Sequence, residues 1–259
     1  MAQKVLSRNS IATGFGLLAT LFLLVTYVAG AADYAREKKW AGEITPGIVV
    51  GDAVYLTTNS GVKFLAIYTE APNAKRAVIL AHGLGVHPDW GIIGALRVRL
   101  ADLGYTTLSL QMPVLAADAR ADGYPETFPD AAERFDAGVA FLVAKKANQK
   151  MSIASHSMGA RMTNYWLITQ TNPGVVAWAS IGIGNGVFED PAKLKLPVLD
   201  VYGQNDLEAV LARAPGRRAA ISDNPGSAQV VVPGADHYFN GKEAALADVL
   251  NAYFDEALK

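Results

Sequence analysis

Three residues, Ser157, Asp206 and His237, stand in an order and in surroundings that suit nucleophilic acyl chemistry. Ser157 lies in KMSIASHSMGARMTNYW (Lys150 to Trp166), where an apolar run gives way to a helical pattern. The string around it is S-x-S-x-G, with Ser155 where the strand-turn-helix motif G-x-S-x-G has its first glycine and Gly159 at the second. Small residues suit those positions because the backbone must turn sharply and expose the serine Oγ. PVLDVYGQNDLEAV carries Asp206 just past another apolar run, and AQVVVPGADHYF carries His237 just past the last one. A serine hydroxyl is a weak nucleophile until a base accepts its proton, so a neutral His237 is the expected base. Asp206 would orient its imidazole and stabilise the charged form. Each residue alone has an ordinary explanation, Ser157 and Asp206 as helix caps and His237 as a loop histidine. Three required residue types after three strands, in the order Ser, Asp, His, favour the chemical explanation. Asp236 adjoins His237 and is badly placed to reach its ring, which leaves Glu189 and Asp190 as the fallback acid.

Acyl transfer also needs donors for the negative charge that develops on the carbonyl oxygen. The backbone amide of Met158, opening the helix after Ser157, is one expected donor. The amide of Leu84, in the run His82-Gly83-Leu84-Gly85, is the other, since glycines let a backbone approach a substrate closely. His82, His87 and Asp89 make a weak metal set, being three side chains of one loop with no fourth partner. Their ordinary roles would be a loop hydrogen bond from His82 and a helix cap from Asp89 for a helix beginning at Trp90. No metal or cofactor is expected: Gly182 to Gly186 reads G-I-G-N-G rather than G-x-G-x-x-G, and there is no G-K-[ST] loop.

The elements that must position these residues alternate along the chain. GDAVYLTTNSG and VKFLAIYTEA read as an opening strand pair joined at Asn59-Ser60-Gly61, and AVILAHG as a strand buried on both faces. Asp89 to Leu103 has helical spacing and stops at Gly104. TTLSLQMP, MSIAS, VVAWASIGIG, PVLDVYG and AQVVVPG read as further strands. Helices are expected from about Asp130 to Lys146, Gly159 to Thr169, Leu207 to Ala219 and Lys242 to Leu258. Val114 to Pro129, rich in Ala, Asp, Gly and Pro, reads as a loop, either a lid or substrate wall bearing Tyr124 and Phe128 or a solvated connection. The pattern predicts an α/β fold with a mostly parallel central sheet, helices on both faces, and a site at the carboxyl ends of the strands.

The 259 residues, 51% of them hydrophobic, can bury a full core, and the net charge of −1 gives no pull toward nucleic acid. Absence of cysteine excludes disulfides and thiolate catalysis and says nothing of compartment. Residues 1–31 read separately from the domain expected over 32–259. Lys4 and Arg8 precede an uncharged stretch around GLLATLFLLVTYVAGA that ends in small residues. That is either a cleaved export signal or an uncleaved membrane anchor, and both put the globular part outside the cytoplasm, periplasmic or held at the inner membrane.

With HGLG, SHSMG, GQND and ADH in that order, the chain resembles the α/β-hydrolase superfamily and has some similarity to its dienelactone hydrolase-like members. The stretch HPDWGIIGALRVRLADLGYTTLSLQMP looks like a poorly characterised family of exported bacterial α/β-hydrolase-like proteins. The resemblance covers about Ala77 to Phe254 and implies the α/β-hydrolase fold and a carboxylesterase-like serine hydrolase acting on a small ester or acyl substrate. The alternative from another class is a non-catalytic protein of this fold that binds an apolar ligand or a cell-envelope partner.

Overall fold

The computed structural model describes residue 1 and residues 32–74, 76–145, 150–171 and 174–257. The expected signal or anchor therefore lies outside the described residues, and among these no helix is long and apolar enough to cross a membrane. Strands β1 (Asp52–Thr57), β2 (Lys63–Thr69), β3 (Arg76–Ala81), β4 (Thr106–Leu110), β5 (Lys150–His156), β6 (Ala177–Ile181), β7 (Val198–Asn205) and β8 (Ala228–Asp236) form one sheet, ordered β1-β2-β4-β3-β5-β6-β7-β8. Only β2 runs against its neighbours; every pairing from β4 to β8 is parallel. Parallel strands need crossovers, and helices α2 (Gly91–Asp102), α3 (Phe128–Lys145), α4 (Met158–Thr169) and the short pair α5 (Glu208–Ala212) and α6 (Ala214–Ala220) lie in them, while α7 (Glu243–Ala257) follows the last strand and packs back on the sheet. A first helix, α1 (Tyr34–Ile44), precedes the sheet.

Burial explains the composition of the strands. Ala77 to Ala81 of β3 are fully buried, as a continuous apolar run must be when helices cover both faces of the sheet. On one face Phe135 and Trp166, from α3 and α4, pack with Trp178; on the other Ile93 and Leu96 of α2 pack with Leu250 and Phe254 of α7. Each large apolar side chain removed from water contributes about 1.5–3 kcal/mol.

The structure adds one element and departs from the expectations at two others. The stretch from Tyr34, for which no element was expected, is helical: the Asp33 carboxylate caps it by accepting the Arg36 amide at 2.9 Å, and Glu37 is buried against Arg134 rather than within an apolar stripe. The helix expected over Leu207 to Ala219 is broken at Arg213, because Pro215 lacks an N–H and its ring would clash with the carbonyl four residues earlier. Val114 to Pro129 is no aromatic lid: residues 116–118 and 120–122 are exposed, as a solvated connection would be, while its aromatic side chains turn inward. Residues Ala121–Thr127 form a 3₁₀ turn, α3 already begins at Phe128, and Val114, Tyr124 and Phe128 are buried in the core.

Candidate active site

The sequence places Ser157, Asp206 and His237 after β5, near the end of β7 and after β8, and the sheet brings the three together. His237 Nδ1 lies 2.6 Å from Asp206 Oδ1, and His237 Nε2 lies 3.0 Å from Ser157 Oγ. An ionised carboxylate only accepts, so the imidazole proton sits on Nδ1 and leaves Nε2 free to accept from the serine hydroxyl. Asp206 is fixed further by the Leu207 amide on Oδ1 at 2.7 Å and the Gly203 amide on Oδ2 at 3.2 Å. Burial alone would raise the Asp206 carboxyl, but the hydrogen bond and charge of His237, with the two amides, hold it below the usual carboxylate value.

The turn at Ser157 is sharp in the way the motif requires. Ser157 has φ 54° and ψ −114°, a conformation that costs a non-glycine residue about 1–3 kcal/mol and persists because the surroundings impose it. A Cβ on Gly159 would lie 2.4 Å from the His82 carbonyl oxygen and 2.6 Å from that of Ala81, so α4 can start this close to the β3 strand only with glycine there. Ser155, at the departure from the motif, is buried, and its Oγ accepts the indole N–H of Trp178 at 2.8 Å. The side chain is thus taken up by the core beneath the turn.

The histidine loop is held just as tightly. The Asp236 carboxylate accepts the Tyr238 and Asn240 amides and the Asn240 side chain, at 3.0, 3.1 and 2.7 Å, so it does not serve His237. Phe239, with φ 57°, is fully buried and anchors the loop. His156 Nε2 donates to the His237 carbonyl at 2.8 Å. Burial first, and then the charge of His237, push the His156 imidazole down to about 4, so it is a neutral support. The fallback acids lie elsewhere: Asp190 is exposed and pairs with Lys193 at 3.1 Å.

Around the opposite rim, His82 Nδ1 donates to the Gly83 carbonyl at 2.9 Å and its Nε2 accepts the Met112 amide at 2.9 Å, so it ties the loop after β3 to the chain leaving β4. Burial pushes His82 down to about 3. Asp89 does not cap a helix. Its Oδ1 accepts Arg97 Nε at 2.6 Å, and α2 begins at Gly91 without a side-chain cap. His87 Nδ1 accepts the Asp89 amide at 3.3 Å, so these three side chains serve different partners. Among the described residues no cluster of three or more His, Asp or Glu could hold a metal ion.

Ser157 opens into a cavity of about 400 Å³ lined by Leu84, Val86, Trp90, Met158, Leu207 and Tyr238, together with Gly184, His237 and Arg161. The amides of Leu84 and Met158 donate to no other group among the described residues. Two features of the site were not anticipated from the sequence. Gly182 would place a Cβ 3.0 Å from Asp206 Oδ2 and 3.3 Å from His237 Nδ1, and Gly184 would place one 3.2 Å from Ser157 Oγ. The signal was present in G-I-G-N-G, whose glycines serve packing beneath the polar chain rather than a phosphate. Arg161 is the other, one helical turn beyond the serine.

Residues 50–131 match the model of a family described as a protein of unknown function (DUF3530). No curated protein matches the chain. Solved structures do: the dienelactone hydrolase from Anabaena variabilis, at 19% identity and a TM-score of 0.65, covers 81% of this chain and 98% of its own. An alpha-beta serine hydrolase homologue from Coxiella burnetii has 18% identity and a TM-score of 0.60 over 79% of this chain and 98% of its own. An esterase from Pyrococcus furiosus has 14% identity and a TM-score of 0.63 over 81% and 92%. With these likenesses, the eight-stranded sheet reversed only at β2, and helices on both faces, the chain has the α/β-hydrolase fold.

Proposed function

We propose that this protein is a serine hydrolase of carboxylic esters or related acyl compounds, working through an acyl-enzyme on Ser157. The observation that carries this reading is the unbroken chain from Asp206 through His237 to a serine hydroxyl at a cavity, 2.6 and 3.0 Å per step. Ser157 Oγ bonds to the ester carbonyl carbon as His237 Nε2 takes its proton, and the carbonyl π electrons move onto oxygen. The amides of Met158 and Leu84 receive that charge. Collapse of the tetrahedral species breaks the C–O bond to the alcohol, which leaves with the proton from His237. Water then attacks the acyl-serine with His237 again as base, releasing the carboxylic acid and restoring Ser157. Asp206 stabilises the imidazolium at both stages.

Two of the fold neighbours are named an esterase and a dienelactone hydrolase, names of ester-cleaving enzymes, which agrees with the proposal. Hydrolysis of 4-nitrophenyl esters of graded chain length tests it. Turnover by the wild type that disappears in Ser157→Ala is the expected result; equal turnover in the variant would overturn the assignment. We also propose that the globular part works outside the cytoplasm, exported or tethered by its N-terminal segment to the membrane, on the strength of the basic flank and apolar run within residues 1–31.

A further inference from the structure

Arg161 lies on the first turn of α4, its backbone N–H on the Ser157 carbonyl at 3.3 Å and its side chain lining the cavity into which Ser157 opens. Arg97, Arg134 and Arg217, whose side chains are buried, each hold a carboxylate. Arg161, half-buried, forms no ion pair among the described residues. Its Nη1 meets the Met158 sulfur at 3.8 Å, its guanidinium lies over the Phe128 ring at 5.4 Å, and its Nε is buried with no hydrogen-bond partner. Glu189 is the acidic group whose field reaches it, but no contact closes between them. A guanidinium presents five donors in a fixed fork matched to carboxylate and phosphate oxygens, and leaving such a group desolvated and unpaired is costly. An anion entering the cavity would recover that cost beside the reacting carbonyl, while Val86, Trp90, Leu207 and Tyr238 accept the uncharged part of the same molecule.

We propose that Arg161 binds an anionic group of the substrate, so that the preferred ester carries a carboxylate or phosphate a few bonds from the scissile carbonyl. This rests on the serine hydrolase reading above. The test compares kcat/KM for the 4-nitrophenyl monoester of glutaric acid with that for 4-nitrophenyl pentanoate, in wild type, Arg161→Gln and Arg161→Lys. The expected ratio of anionic to neutral ester is at least about 10 in wild type, near 1 in Arg161→Gln and intermediate in Arg161→Lys, since a charged hydrogen bond contributes roughly tenfold or more. A ratio near 1 in wild type, or one unchanged in Arg161→Gln, would overturn the inference; should that variant fail to fold, an unchanged ratio in Arg161→Lys does so. Competition of glutarate and butyl phosphate against hydrolysis distinguishes the two anions, and failure of both to compete better than the uncharged pentanamide also counts against it. A neutral fluorophosphonate separates the two readings. Labelled Ser157 with no anion preference removes this inference alone, whereas an unlabelled, inactive protein removes both.

Discussion

Two of the buried polar networks among the described residues differ in how they end. In the first, Arg134 has all five guanidinium donors in use: Glu37 at 2.9 and 3.2 Å, Asp130 at 3.0 and 2.9 Å, and the Gln111 carbonyl at 2.9 Å. Its side chain is fully buried, and the network closes on itself, fastening α1 to α3 and to the chain beyond β4. The second runs from two backbone amides through Asp206 and His237 and ends at the Ser157 hydroxyl, on a turn with a positive φ, at an open cavity. Both hold charge or potential charge away from water. A closed network spends every donor on structure, whereas an open one leaves its last group available to a reactant.

The two should therefore respond oppositely to substitution. His237→Ala is expected to lower ester kcat/KM by about 10⁴ or more, equivalent to about 5.5 kcal/mol of transition-state stabilisation, while leaving the melting temperature within a few degrees of wild type. Arg134→Met should do the reverse. It leaves Glu37 and Asp130 without their partner and is expected to cost about 3–5 kcal/mol in urea unfolding, with turnover per folded molecule little changed. If Arg134→Met instead abolished turnover in folded protein, the contrast would fail.

Gly159→Ala sharpens the comparison, because it strikes the packing under the open network. With its Cβ 2.4 Å from the His82 carbonyl oxygen, the β3 loop or α4 must move; a loss of about 1–3 kcal/mol in stability and about 100-fold in kcat is expected. The smallest effect is on acid stability. Below pH 6.5 unfolded histidines take up protons, while folded His82 and His156 stay neutral to about 3 and about 4. The unfolded state then binds more protons, so stability falls as the pH drops from 6.5 toward 4. Each histidine accounts for about 2 kcal/mol lost by pH 5. His156→Gln, which keeps a donor for the His237 carbonyl, should make the decline between urea melts at pH 7 and pH 5 shallower by one such share.

The open network was the more legible of the two in the sequence. Ser157, Asp206 and His237 are marked by type, by order and by the strand that precedes each, and parallel α/β topology gathers strand ends on one edge of the sheet. The strands were legible for the same reason, being apolar runs bounded by glycine or proline. The closed network was invisible because its members are remote in sequence, Glu37 at 97 residues from Arg134, and a buried arginine has the same letter as a solvated one. Helix α1 was missed with it, since the segment is rich in charged residues and the side chain that docks it, Glu37, is itself charged. Pro215 carried the signal for the break between α5 and α6, but the expected helix over Leu207 to Ala219 ran through it, and the 3₁₀ turn at Ala121–Thr127 is a case where Gly and Pro content suggested exposure while Tyr124 packs inward.

The most direct test of the central claim is covalent. The full chain would be treated with a neutral fluorophosphonate, digested and mapped by mass spectrometry, beside Ser157→Ala and His237→Ala. The account predicts a single adduct on the peptide containing Ser157, absent from the first variant and strongly slowed in the second. A folded wild-type protein that takes up no label, or takes it up elsewhere, would contradict it.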